Sequence, residues 1–237
     1  MSGSWAFPAP VLPGKDDEAR AIRDYLQTHM TEWTESHDRA GITMERTYLM
    51  RTPQGSLFVE YAETDTSFGA SLGAMLNSGT KLDKWIFNQF QEITGIDFTQ
   101  PPAGPPPELV LSYYQPKPER GNGLAFSTPP LAPGKSDEYV RFSREATARM
   151  AEFAEARQGY GITVDRSYLN RTPMGDFIAV YLEGDDPLAG NRAFAASRHP
   201  FDVWFRGRAS EILGIDFTQS LPPIEPLWDW HKSRVTV

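Results

Sequence analysis

One stretch of this chain occurs twice. Gly41-Ile-Thr-Met-Glu-Arg46-Thr-Tyr48-Leu-Met-Arg51-Thr-Pro53-Gln-Gly55 returns as Gly161-Ile-Thr-Val-Asp-Arg166-Ser-Tyr168-Leu-Asn-Arg171-Thr-Pro173-Met-Gly175, 120 residues later. The match runs on in both directions. Ala6-Phe7 and Pro13-Gly14-Lys15 answer Ala125-Phe126 and Pro133-Gly134-Lys135. Tyr61-x-Glu63-x-Asp65 answers Tyr181-x-Glu183-x-Asp185, and Asp83-x-Trp85 answers Asp202-x-Trp204. Glu92-x-x-Gly95-Ile-Asp97 answers Glu211-x-x-Gly214-Ile-Asp216, after a one-residue deletion between 186 and 199. Two copies of ~110 residues make a domain duplication, not a solenoid. The expected organisation is a first repeat over 1–114, a linker over 115–123 and a second repeat over 124–237.

Each half is read once and checked against its twin. Trp5 to Leu12 is apolar but carries prolines, which cannot donate to a ladder, so it reads as an edge strand. A helix follows, capped by Asp16 or Asp17 (Ser136 or Asp137 in the twin). Its apolar stripe is Ile22, Leu26, Met30 and Trp33, and Gly41 ends it. The repeated stretch reads as a hairpin from Ile42 to Glu63. Thr52-Pro53-Gln54-Gly55 supplies its turn chemistry, with Pro pre-setting φ and Gly free to take a positive one. Two helical pieces cover Ser67 to Thr94 and Pro187 to Leu213. Final strands are expected at Leu109–Tyr114 and Pro226–Trp230. The order in each half is β-α-β-β-α-β, the ferredoxin-like arrangement. It leaves one sheet face bare of helices. The second copy can cover that face, sheet against sheet.

Composition narrows the function classes. The formal net charge is −8 and there is no dense Lys/Arg block. That argues against nucleic acid or an anionic membrane as partner. No cysteine is present, which removes disulfides, thiol nucleophiles and thiolate metal sites together. No apolar run approaches the ~20 residues of a membrane helix. The start of the chain has no apolar signal region, so a soluble cytoplasmic protein is expected.

With these repeats the chain resembles a tandem member of the dimeric α/β-barrel superfamily. That superfamily includes the antibiotic-biosynthesis-monooxygenase-like (ABM-like), EthD-like and stress-responsive barrel groups. The Tyr-Leu-x-x-Thr-Pro-x-Gly hairpin, the acidic Glu-x-Asp after it and the Asp-x-Trp helix also resemble an uncharacterised bacterial family of such domains. The resemblance implies an α+β fold of two ferredoxin-like repeats packed sheet to sheet as an intramolecular barrel. It implies a small-molecule-binding protein, either a cofactor-independent monooxygenase-like or cyclase-like enzyme, a non-catalytic pseudo-dimer, or a haem-binding barrel. No motif maps onto a defined catalytic set, so the fold alone does not assign a reaction.

The candidate ligand-binding residues are polar and aromatic strand positions shared by both halves: Arg46, Tyr48, Tyr61 and Glu63, with Arg166, Tyr168, Tyr181 and Glu183. Arg46 and Tyr48 lie on one strand face, because strand side chains alternate. A two-residue hairpin loop sets position 46 opposite 61 and gathers Arg46, Tyr48 and Tyr61. A bulged turn slips the register by one and instead puts Tyr61 and Glu63 beside Thr47 and Glu45. Both registers stay open. In the first, Arg46–Glu63 and Arg166–Glu183 form internal ion pairs. Arg then binds an anionic oxygen while Tyr donates to it. Purely structural pairs are the competing and commoner case.

His29, His37, His199 and His231 have no metal-ligand spacing. His37 lies near a helix end, and haem is carried by the fold resemblance alone. No phosphate loop or nucleophile elbow occurs. No cofactor is predicted. The expected partner is a small hydrophobic or aromatic ligand, with further oligomerisation left open.

Overall fold

The computed structural model describes residues 3–101, 103–115, 117 and 119–232. Pro116 and Pro118 of the expected linker, and the ends of both expected repeats, lie outside these residues. In chain order the elements are β1 (Gly3–Val11), α1 (Asp16–Thr28), α2 (Met30–Ala40), β2 (Ile42–Thr52), β3 (Gly55–Thr64), α3 (Phe68–Leu76), α4 (Lys81–Thr94) and β4 (Glu108–Tyr114). The second series is β5 (Asn122–Ser127), α5 (Lys135–Ala148), α6 (Met150–Gly159), β6 (Ile162–Thr172), β7 (Gly175–Gly184), α7 (Pro187–Ala196), α8 (Pro200–Leu213) and β8 (Ile224–His231). The architecture is α+β, with two four-stranded antiparallel sheets.

The sheets do not follow the repeats. Their strand orders are β1-β3-β2-β8 and β4-β6-β7-β5. The last strand of each sequence repeat therefore pairs with the hairpin of the other. The compact units are Met1–Pro106 with Pro222–Val237, and Pro107–Leu221, in place of repeats divided at 114 and 124. Strand patterning finds β4 and β8 but does not say which sheet they join, because both hairpins offer nearly identical edges.

The hairpins have the first of the two registers. Thr52 pairs with Gly55 across the two-residue loop Pro53–Gln54, and Arg46 lies opposite Tyr61. Gly55 has φ +136° and the Thr52 hydroxyl donates to its carbonyl at 2.8 Å, which ties the turn. The first helical segment is two helices and not one. It breaks at His29, as its twin does at Arg149; the His29 ring and the Thr28 hydroxyl both engage the Tyr25 carbonyl there. Met30 is consequently 42% exposed and not part of the apolar stripe. Asp16 does not act as the cap. Lys15 holds that position, and the Asp16 carboxylate instead accepts from Ser56 and Arg51. Gly95 and Gly214 close α4 and α8 with φ of +75° and +65°, as a left-handed C′ residue does.

Each unit has its own core between helices and one sheet face. In the first, Trp5, Ile22, Leu26, Trp33, Leu49 and Phe58 are buried together. In the second, Leu111, Tyr139, Phe142, Phe153 and Ile178 are. Each such side chain contributes about 1.5–3 kcal/mol on burial. Among the described residues no helix is long and apolar enough to cross a membrane.

Candidate functional site

The register of the first sheet dictates which side chains meet the helices. One row across it is Phe7, Glu60, Thr47 and Trp228, and the next is Trp5, Ala62, Glu45 and Trp230. Two carboxyls thus stand on the core-facing side as diagonal cross-strand neighbours. Glu45, 5% exposed, is held from both sides. Trp228 Nε1 donates to its Oε1 at 2.5 Å, and its Oε2 lies 2.8 Å from Nε2 of the fully buried His37. The other ring nitrogen of His37, Nδ1, lies 2.9 Å from the Trp33 carbonyl oxygen.

Glu60 is different. It receives one hydrogen bond, from Trp5 Nε1 at 2.8 Å. Burial pushes its carboxyl from 4.5 up to about 8, the Glu45 charge adds to the rise, and the Trp5 N–H only partly opposes it. Glu60 is therefore mostly protonated at neutral pH and ionises just above it. Beside it the Thr47 hydroxyl is buried without a hydrogen-bond partner.

These groups form the polar end of a cavity of about 90 Å³, measured as room for the centres of water-sized spheres. One water needs ~10–15 Å³ on that measure. The rest of the wall is aromatic and aliphatic apart from Ser71, and includes Phe58, Phe68, Phe87, Phe90 and Phe98. Among the described residues no Lys, Arg or His lines it.

The second unit has a cavity of about 70 Å³ at the matching place, with different chemistry. Val180 stands at the position of Glu60, Asp165 at that of Glu45 and Arg157 at that of His37. Arg157 Nε donates to Asp165 at 2.6 Å and Nη1 to Asp202 at 3.2 Å, while Tyr160 donates to Asp202 at 2.5 Å. The guanidinium also lies over the Phe153 ring at 4.5 Å. Its charge is fixed and neutralised.

The residues singled out by sequence lie elsewhere. Arg46, Tyr48, Tyr61 and Glu63 occupy the sheet face opposite the helices, as do Arg166, Tyr168, Tyr181 and Glu183. They are buried or half-buried there and line neither cavity. Of the two registers left open, the first sets Arg46 opposite Tyr61, on the strand face that Tyr48 shares. Arg46 Nε donates to Asp229 at 3.0 Å, and the Tyr61 hydroxyl donates to Glu63 at 2.7 Å. Glu183 pairs with Arg120 at 2.8 Å and accepts from Tyr181 at 2.7 Å. Glu60 and Thr47 are not among the residues that the sequence singles out, and His37 is placed by it near a helix end. A signal was present: Ile178, Val180 and Leu182 form an unbroken apolar face in β7, whereas β3 places Glu60 in it. Among the described residues no group of three His, Asp or Glu side chains could hold a metal ion.

No protein-family model matches the chain, and no curated protein sequence does. Solved structures do resemble it. Two carry the name "putative monooxygenase". The one from Fusobacterium nucleatum subsp. nucleatum is 8% identical with TM-score 0.51, covering 98% of this chain and 95% of that one. The one from Lactobacillus acidophilus is 10% identical with TM-score 0.50, covering 98% and 97%. An anthrone oxidase-like protein is 13% identical with TM-score 0.53, covering 98% and 93%. The fold is therefore of the monooxygenase-like kind. At these identities the likeness extends to the fold and no further.

Proposed function

We propose that the first unit binds a small, uncharged aromatic molecule in its cavity and removes a proton from it through Glu60. That is the opening step of an oxygenation needing no bound cofactor. The observation that carries this reading is Glu60 itself. A carboxyl in an aromatic-rich cavity, ionising near pH 8, is matched in strength to a weakly acidic C–H or O–H. Two carboxyls and no cation in the wall disfavour anionic ligands. The unpartnered Thr47 hydroxyl offers a hydrogen bond to a substrate oxygen.

An anthrone, the compound class in the name of one structural neighbour, suits this chemistry. Glu60 takes a proton from the methylene beside the ring system. The carbanion's electron pair adds to O₂, and the hydroperoxide formed loses water to leave a new carbonyl. Overall, R₂CH₂ and O₂ give R₂C=O and H₂O. The fold likeness to monooxygenase-like chains supports oxygen as the second reactant.

Oxygen uptake with anthrone tests the reading. The native chain should accelerate uptake, with kcat/KM rising with pH and levelling above about 8. Glu60→Gln should lose at least about 100-fold, the usual worth of a general base. A native chain no faster than buffer, or an unimpaired Glu60→Gln, overturns it. Solvent deuterium entering the methylene without oxygen uptake would retain proton removal and discard oxygenation.

A further inference from the structure

We infer that His37 and Glu45 hold one shared, movable proton, whose position sets the charge that Glu45 turns towards Glu60, a role that the twin pair Arg157–Asp165 cannot fill. The turnover part of this inference rests on the function proposed above, while the shared proton does not. His37 Nδ1 lies 2.9 Å from the Trp33 carbonyl oxygen, which has no hydrogen to give, so Nδ1 carries one. Nε2 lies 2.8 Å from Glu45 Oε2. Two bare acceptors do not sit at that distance, so a proton lies between them.

The pair is either imidazolium with carboxylate or imidazole with carboxylic acid. Both forms contain the same atoms, and interconversion moves no heavy atom. The second Glu45 oxygen accepts from Trp228 in either form. The surroundings add few competing charges. From α4, Asp83 faces α2, and its carboxylate already accepts from Ser36 and Arg39. On the outer side Asp38 is paired with Lys232 at 2.9 Å. Trp33 and Trp230 enclose the imidazole with neutral rings at 4.1 and 4.2 Å. Helix α3 carries no titratable side chain. The remaining group is Glu60 itself, on the neighbouring strand β3.

The consequence follows from charge. Glu45 as a carboxylate opposes ionisation of Glu60; moving the shared proton from Nε2 onto Oε2 neutralises that carboxylate and the imidazolium together. The pair passes no proton to Glu60 and acts on it through the charge that Glu45 carries. His37 is a positioning residue in this scheme, acting through Glu45. The second unit supplies a natural comparison. Arg157 holds Asp165 at 2.6 Å in the same arrangement, but a guanidinium does not give up its proton. Val180 takes the place of Glu60 there, so the Arg157–Asp165 pair faces an apolar side chain at that position.

Two measurements on the full chain test this. In histidine-labelled protein, ¹⁵N NMR should find a proton on Nδ1 of His37 and a far-downfield proton shared at Nε2. The downfield proton should be lost in Glu45→Gln. A bare Nε2, unchanged by Glu45→Gln, overturns the inference whether or not any substrate is turned over. The second measurement is the kcat–pH profile with anthrone for His37→Arg, which installs the twin's pair, and for His37→Gln. Each should fall at least 10-fold, and His37→Arg should shift its rising limb to higher pH because the Glu45 charge is then fixed. Wild-type profiles in both variants overturn the charge coupling. If the native chain turns over no anthrone, the functional proposal fails and the NMR result alone decides the shared proton.

Discussion

Glu60 occupies a core-facing strand position that its twin fills with Val180, and this has a cost in stability. Its folded value of about 8 stands above the ordinary 4.5. A raised carboxyl contributes fully below the unfolded value and loses that contribution as pH rises towards the folded one. Stability to denaturant should therefore decline between about pH 4.5 and 8, with a slope approaching 1.4 kcal/mol per pH unit from this group. Glu60→Gln should flatten that slope; a Glu60→Gln curve parallel to wild type refutes the assignment. Thr47 makes a second case. Its buried hydroxyl lacks a partner, so Thr47→Val should stabilise the ligand-free chain by about 1 kcal/mol while weakening ligand binding. Thermal unfolding and a binding titration report the two effects separately. These residues were hard to find because agreement between halves directs attention to Arg46, Tyr48 and Tyr61. The site lies where the halves differ: Glu60 against Val180, and His37 against Arg157.

At the scale of elements, local chemistry was largely legible. The Thr-Pro-x-Gly turn, the proline-bearing edge strands and the glycine stops follow from φ preferences and missing donors. The break at His29 did not, because the apolar spacing Ile22, Leu26, Met30 and Trp33 runs across it without interruption. The strand exchange did not either, since pairing between distant segments leaves no periodicity. Its effect on the site is large. β8 brings Trp228 to Glu45, places Asp229 on Arg46 and buries Leu227 and Trp230 in the first core. A chain ending at Leu221 should therefore lose hydrogen-exchange protection in β2 and β3 while keeping it in β6 and β7. Equal protection in both hairpins would contradict the exchanged topology.

The whole molecule comprises two compact units of similar design with different interiors. In the second, one guanidinium, Arg157, is shared by the carboxyls of Asp165 and Asp202. The first places Glu45 and Glu60 in the wall of an aromatic-rich cavity, with His37 behind Glu45. The sequence made the fold class readable because repeats and periodicity are properties of the backbone. It made the site readable only in part, because a cavity depends on which strand face meets the helices. The account depends most on the state of one carboxyl. Its direct test is a ¹³C NMR titration of the Glu60 side chain, assigned by its loss in Glu60→Gln. The predicted midpoint is about 8. A midpoint near 4.5 would contradict the account.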